Sequence, residues 1–109
     1  MKYKTHNQTE INADFTYMIS RMIATYDELV TIFGPPMPGD GSKVDAEWRL
    51  KFADDTVVTI YNWKNGRAYL GPKGVPKELI GVWNIGGKSS RAYDLLSLVV
   101  LARRNVIKE

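Results

Sequence analysis

Two stretches of the chain carry side chains whose types and spacing could do chemistry. The first, Asn84-Ile85-Gly86-Gly87-Lys88-Ser89-Ser90-Arg91, places two glycines, a lysine, two hydroxyls and an arginine where a strand gives way to a helix. Unpaired amides at a helix start, the positive end of its dipole and two nearby cations together suit a phosphate or another anion. The same residues also have a purely structural reading: the glycines allow the turn, Ser89 or Ser90 caps the helix, and Lys88 and Arg91 sit in solvent. A Walker-type phosphate loop does not fit, because Gly81 lies one residue too far from Gly87 and the chain lacks room for the other strands of such a domain. Nucleoside triphosphate hydrolysis is therefore not expected.

The second stretch, Tyr61-Asn62-Trp63-Lys64-Asn65-Gly66-Arg67-Ala68-Tyr69, interleaves aromatics, amides and cations at the end of a strand. Aromatic faces stack nucleobases, amides read their edges, and Lys or Arg holds phosphate. Combined with the first stretch, this gives a nucleotide-binding constellation in a pocket at a subunit junction. Tyr61 or Trp63 would stack a base, Asn62 and Asn84 would bond its polar edges, Lys88, Ser89, Ser90 and Arg91 would receive phosphate, and Lys64 and Arg67 would close the rim. Hairpin packing with polar turn residues explains the same stretch without a ligand.

Catalytic and metal chemistry find little support. There is no cysteine to serve as nucleophile, disulfide or thiolate ligand, and His6 is the only imidazole. Asp54 and Asp55 belong to a solvated turn, which does not raise a carboxylate into the range of acid–base work. The expectation is a binding protein rather than an enzyme, without metal or cofactor.

The elements that must position these residues can be read from pattern. A chain of 109 residues, 44% hydrophobic and 25% charged, is in the ordinary range of a single globular domain. Fifteen Lys and Arg against twelve Asp and Glu give a formal charge of +3 and a pI near 9.2, which favours anionic partners without requiring one. No apolar run approaches the roughly 18 residues of a membrane span, and the start of the chain lacks a signal-peptide core, so a cytosolic protein is expected.

Residues 1–12 are polar and aperiodic, which suggests a mobile arm or a loose edge segment. Residues 15–23 fit either strand or helix; strand is favoured because Thr25-Tyr26-Asp27-Glu28 already starts a helix over 26–33, stopped by Gly34-Pro35-Pro36. Strict alternation from Val44 to Phe52, the turn Ala53-Asp54-Asp55-Thr56 and the run Val57–Trp63 predict a β-hairpin. Ala68-Tyr69-Leu70 reads as a brief extended piece, 77–79 as a helical turn, Val82–Ile85 as a strand, and about 89–104 as the longest helix. The fold class is α+β: a small antiparallel sheet with a short helix after the first strand and a long C-terminal helix packed on it. From Leu95 to Ala102 that helix is apolar almost all round, so its surplus face suggests a homo-oligomer interface, the alternative being a deep groove within one chain.

The segments TYDELVTIFGPP, GDGSKVDAEWRLKFADDTVVTIYNWKNGRAYLG and WNIGGKS, between Thr25 and Ser89, resemble a pattern found in small accessory proteins of bacteriophages. In size, element order and aromatic-plus-basic loops the chain is similar to the first Thoeris anti-defence family. That resemblance implies a small αβ oligomer in the host bacterial cytoplasm that sequesters a cyclic nucleotide signal without cleaving it. It carries over no residue roles, and the first residues and the last helix lie outside it. The alternative expectation is an inhibitor that covers a host defence protein or CRISPR effector through the hairpin face, and a third is weak nucleic-acid binding.

Overall fold

The computed structural model describes residues 2–108, with side-chain surroundings for residues 2–106. It contains the strands β1 (Tyr3–Thr5), β2 (Tyr17–Ile23), β3 (Met37–Pro38), β4 (Ala46–Phe52), β5 (Val57–Tyr61) and β6 (Val82–Gly87). The helices are α1 (Tyr26–Phe33), α2 (Arg67–Leu70) and α3 (Ser90–Lys108), with 3-10 turns at Gly71–Lys73 and Lys77–Leu79. All six strands join one antiparallel sheet in the order β1-β4-β5-β6-β2, with β3 paired to β4. This is the expected α+β architecture.

The alternation in β4 sets which face is which. Ala46, Trp48, Leu50 and Phe52 are buried while Glu47, Arg49 and Lys51 point the other way. Register then carries each face across the sheet, because directly paired residues share a face. Trp48 pairs with Ile60 and Ile60 with Ile85, and all three are fully buried on the inner face. α1 and α3 cover that face: Leu29, Phe33, Leu96 and Val100 enter the same core. Trp48 and Trp83 meet edge to face at 5.3 Å, and each indole N–H finds a backbone carbonyl, at Gly34 and Ala24. α1 opens on the expected cap, Thr25 Oγ1 accepting from Glu28 N–H at 3.0 Å. Glu28 itself does not close a reciprocal cap. Its carboxylate accepts two bonds from Arg104 at 2.8 Å, tying α1 to the last turns of α3.

β1 and β2 lie at opposite edges of the sheet, so the chain between them must cross one face. With the helices on the inner side, residues 6–16 cross the outer side. The span is roughly 19 Å at four strand spacings, well within the reach of eleven residues. This strap is held at several points: His6 N–H bonds Arg49 O, Asn7 Nδ2 bonds Phe33 O and Pro35 O, and Arg49 Nη1 bonds Ile11 O. Ile11 is buried beneath it. Of the first twelve residues, expected as a mobile arm or a loose edge segment, Met1 lies outside the described residues and the others supply an edge strand and half a strap.

Two further differences have local causes. Ala68–Leu70 is helical rather than extended, because Gly66 O accepts from Leu70 N–H and the Asp45 carboxylate accepts from Ala68 N–H. Gly86 and Gly87 belong to β6 rather than to a turn. A side chain at Gly86 would run into Thr59 Oγ1, and one at Gly87 into Ala92 Cβ, so both glycines serve close packing.

Candidate functional site

Outside the core, the outer face of the sheet is where polar side chains converge. Two rows cross it: Glu47, Tyr61, Asn84 and Arg21 in one, and Arg49, Thr59, Gly86 and Met18 in the next. The strap closes over part of these rows and leaves a cleft of about 260 Å³. Its walls are Tyr17, Glu47, Arg49, Thr59 and Tyr61 from the sheet, Ala13 and Thr16 from the strap, and Trp63 at its mouth. Register therefore settles the side of Tyr61: it pairs with Glu47 and faces away from Trp48.

Trp63 is the exposed indole of the described residues, with 46% of its surface accessible, while Trp48 and Trp83 are fully buried. It meets Tyr61 edge to face at 6.5 Å. Lys43 and Lys64 place their ammonium groups 5.5 and 5.8 Å from the Trp63 ring, and Lys64 also lies 5.5 Å from Tyr69, itself half exposed. None of the ion pairs among the described residues involves Lys43, Lys64 or Arg67. This end of the sheet thus offers aromatic surface ringed by cations outside any ion pair of the described residues, although the Asp40 carboxylate lies close enough to Lys43 to feel its charge.

Asn62 builds that end without being part of its surface. Fully buried, it donates to Asp45 Oδ1 and Asn65 Oδ1 at 2.8 and 3.0 Å and accepts from Asp45 N–H and Ala46 N–H at 2.8 and 3.2 Å. Every hydrogen-bonding position of its amide is spent inside the protein. The expectation that Asn62 reads a ligand edge is corrected on that ground: it fixes the loop that presents Trp63 and Lys64. Lys64 takes a left-handed backbone, φ 60°, held by its N–H bond to Lys43 O. Such a conformation in a non-glycine residue persists only where surroundings enforce it.

The electrostatics of the cleft favour hydrogen bonding over proton transfer. Burial, and then the Glu47 carboxylate, push the Tyr61 phenol above its usual range, so it stays neutral. Glu47 accepts from Arg49 Nε at 2.6 Å, which leaves no isolated base. Among the described residues there is no cluster of acids or histidines able to hold a metal.

Lys88, Ser89, Ser90 and Arg91 lie elsewhere. β6 runs antiparallel to β5, so residue 88 sits beside the Val57 end, roughly 20 Å along the strand from Trp63. Arg91 Nε bonds Asp54 Oδ2 at 2.7 Å. The Asp54 carboxyl is lowered to about 2, first by the hydroxyl and N–H of Thr56 and then by Arg91, so this pair stays charged across neutral and mildly acidic pH. Within one chain the two stretches do not share a pocket, and Arg91 is already paired. Arg67 is exposed on α2 beside the Trp63 end, and Asn84 lies next to Tyr61 on the outer face. A wider groove of about 640 Å³ near β1 is lined by Lys2, Lys4 and Lys51, but Glu10 and Asp55 share it and Lys51 lies 3.6 Å from Asp55.

Glu47, Arg49, Thr59 and the strap were not singled out from sequence as site residues. The period-two row Thr59–Tyr61 and the outer row of β4 were readable as one face; that residues 6–16 roof it was not. Comparison with protein families, curated proteins and solved structures returned no match. No helix of the described residues is long and apolar enough to cross a membrane.

Proposed function

We propose that the protein is a non-enzymatic binding protein that sequesters a nucleotide-like anion at the Trp63 end of its sheet. The observation that carries this reading is Trp63 itself, half exposed, facing the mouth of a polar cleft and flanked by two lysines that belong to no ion pair among the described residues. A base stacks on Trp63 and reaches Tyr61 and Thr59 with its polar edge, while Lys43, Lys64 and Arg67 attract phosphate. The cleft is just below the roughly 300–1,000 Å³ of small-molecule sites, so it takes one base or sugar and leaves the phosphates at the rim. The resemblance to phage accessory proteins gives the setting: a counter-defence protein in the host bacterial cytoplasm that withholds a cyclic nucleotide signal.

The test is a panel of linear and cyclic adenine and guanine nucleotides in thermal unfolding, alongside mass spectrometry of small molecules released from denatured protein. At least one nucleotide raises the melting temperature of the wild type and fails to do so for Trp63→Ala. A flat panel with no released ligand contradicts the proposal.

A second reading, inhibition of a host defence protein by direct contact, is supported by exposed Ile23, Leu79 and Val82. Its surface is not the hairpin's outer face, which the strap crosses. Co-purification of a host protein without a small ligand favours this reading.

A further inference from the structure

The two edges of the sheet are built differently. One is closed by β1 and β3, three and two residues long, and bears Lys2, Lys4 and Pro38. Short strands, lysine and proline are the devices that stop an edge from pairing with another chain. The other edge, β2, is seven residues long, pairs only with β6, and has neither lysine nor proline. After the irregularity between Met18 and Ser20, the run Ser20-Arg21-Met22-Ile23 is regular. Ile23 is 77% exposed. Beside this edge lies a groove of about 310 Å³ between β2 and α3, lined by Met22, Ile23, Tyr93, Ser97, Leu101 and Arg104. Ser97 Oγ is buried there with no hydrogen-bond partner.

We infer that β2 pairs with β2 of a second copy of this chain, continuing the sheet across a two-fold axis and joining the two grooves into one. Three features make the second copy the matching occupant. A two-fold axis normal to the sheet keeps both copies of α3 on the same face and runs them antiparallel, as an isologous interface requires. Placed at Met22, it sets Arg21 opposite Ile23 of the second copy, so the one charged side chain of the strand does not meet itself. The flank of α3 is also self-complementary: Asp94 lies near its start and Arg104 near its end, separated by exposed Leu98 and Leu101. Antiparallel helices bring Asp94 of one copy toward Arg104 of the other, and Arg104 commits Nε and Nη2 to Glu28 and Ile23 O but makes no bond through Nη1 among the described residues. By register the axis lies at the same end of the sheet as Trp63, two strands away, but the pairing edge and the flank of α3 include none of the residues proposed to bind the ligand, so the dimer does not rest on that site.

Sedimentation equilibrium of the full chain tests this, with Ile23→Asp plus Leu101→Asp as the variant. Both positions are largely exposed, so the charges load the interface and not the core. The wild type is expected at twice 12.4 kDa with rising concentration, and the variant at 12.4 kDa with an unchanged far-ultraviolet spectrum. A wild type that stays monomeric, or a folded variant that dimerises equally well, overturns the inference. Should the variant fail to fold, hydrogen exchange on the wild type decides: the outward amides of Ser20–Ile23 become protected as concentration rises if the edges pair, and exchange freely if they do not.

Discussion

The two ends of the sheet look alike in composition and differ in how their charges are used. At the hairpin-turn end, Gly86-Gly87-Lys88-Ser89-Ser90-Arg91 has the residues of an anion site, yet its glycines pack against Thr59 and Ala92, and Arg91 is bound to Asp54. At the other end, Lys43, Lys64 and Arg67 form no ion pair among the described residues, and the buried Asn62 amide holds the loop that presents Lys64. Cations become a site when the fold leaves them outside ion pairs beside a surface that a ligand can use. Residue type alone does not separate the two cases.

The largest effect on this contrast is expected from Asn62→Ala. It strands the N–H groups of Asp45 and Ala46 and removes the donor to Asp45 Oδ1, a loss of ~3 kcal/mol from an unsatisfied buried network. Urea unfolding measures it, and ligand-induced stabilisation should vanish with it. Gly87→Ala comes next, costing ~2 kcal/mol through the clash with Ala92 while leaving any ligand at the Trp63 end bound as before. A loss of binding without loss of stability in that variant would instead restore the glycines as a ligand loop.

A smaller effect belongs to Glu28→Gln, which cuts the link from α1 to α3 and costs about 1 kcal/mol for a part-exposed bidentate pair. The hydrogen bonds from Arg104 hold the Glu28 carboxyl below its ordinary value of 4.5, so the folded state binds the proton less readily than the unfolded chain. The stabilisation is present above 4.5 and is lost as pH falls through the folded-state value. Melting temperatures of wild type and variant should therefore differ at neutral pH and converge in acid. The smallest change is expected from Lys88→Ala plus Arg91→Ala: stability within ~0.5 kcal/mol, as for a surface pair, and unaltered ligand binding.

What the sequence disclosed was what neighbours along the chain decide. Alternation from Val44 to Phe52 gave the hairpin, and Thr25 with Gly34 marked both ends of α1 at the residues observed. The exposed aromatic and cations of Trp63, Lys64 and Arg67 were also visible as a polar, ligand-like cluster. The rest depends on contacts between distant residues. Arg49 bonding Ile11 turns a polar, aperiodic segment into a roof over the sheet, and Asp45 bonding Ala68 N–H turns an apparent extended piece into a helix. Asn62 reads as a ligand contact until its four partners are known, because an amide is equally suited to a loop and to a base. Within one chain the ten residues named as one site are divided by strand direction, which follows from topology.

The central claim, that the Trp63 end is the binding end, is tested most directly by following intrinsic tryptophan fluorescence during nucleotide titration. With Trp48 and Trp83 buried, only Trp63 is open to a stacking base. Saturable quenching is predicted in the wild type and in Lys88→Ala plus Arg91→Ala, with at least a ~10-fold weaker affinity, measured calorimetrically, in Trp63→Ala. Nucleotide binding that survives Trp63→Ala and disappears in the Lys88 and Arg91 variant would contradict it.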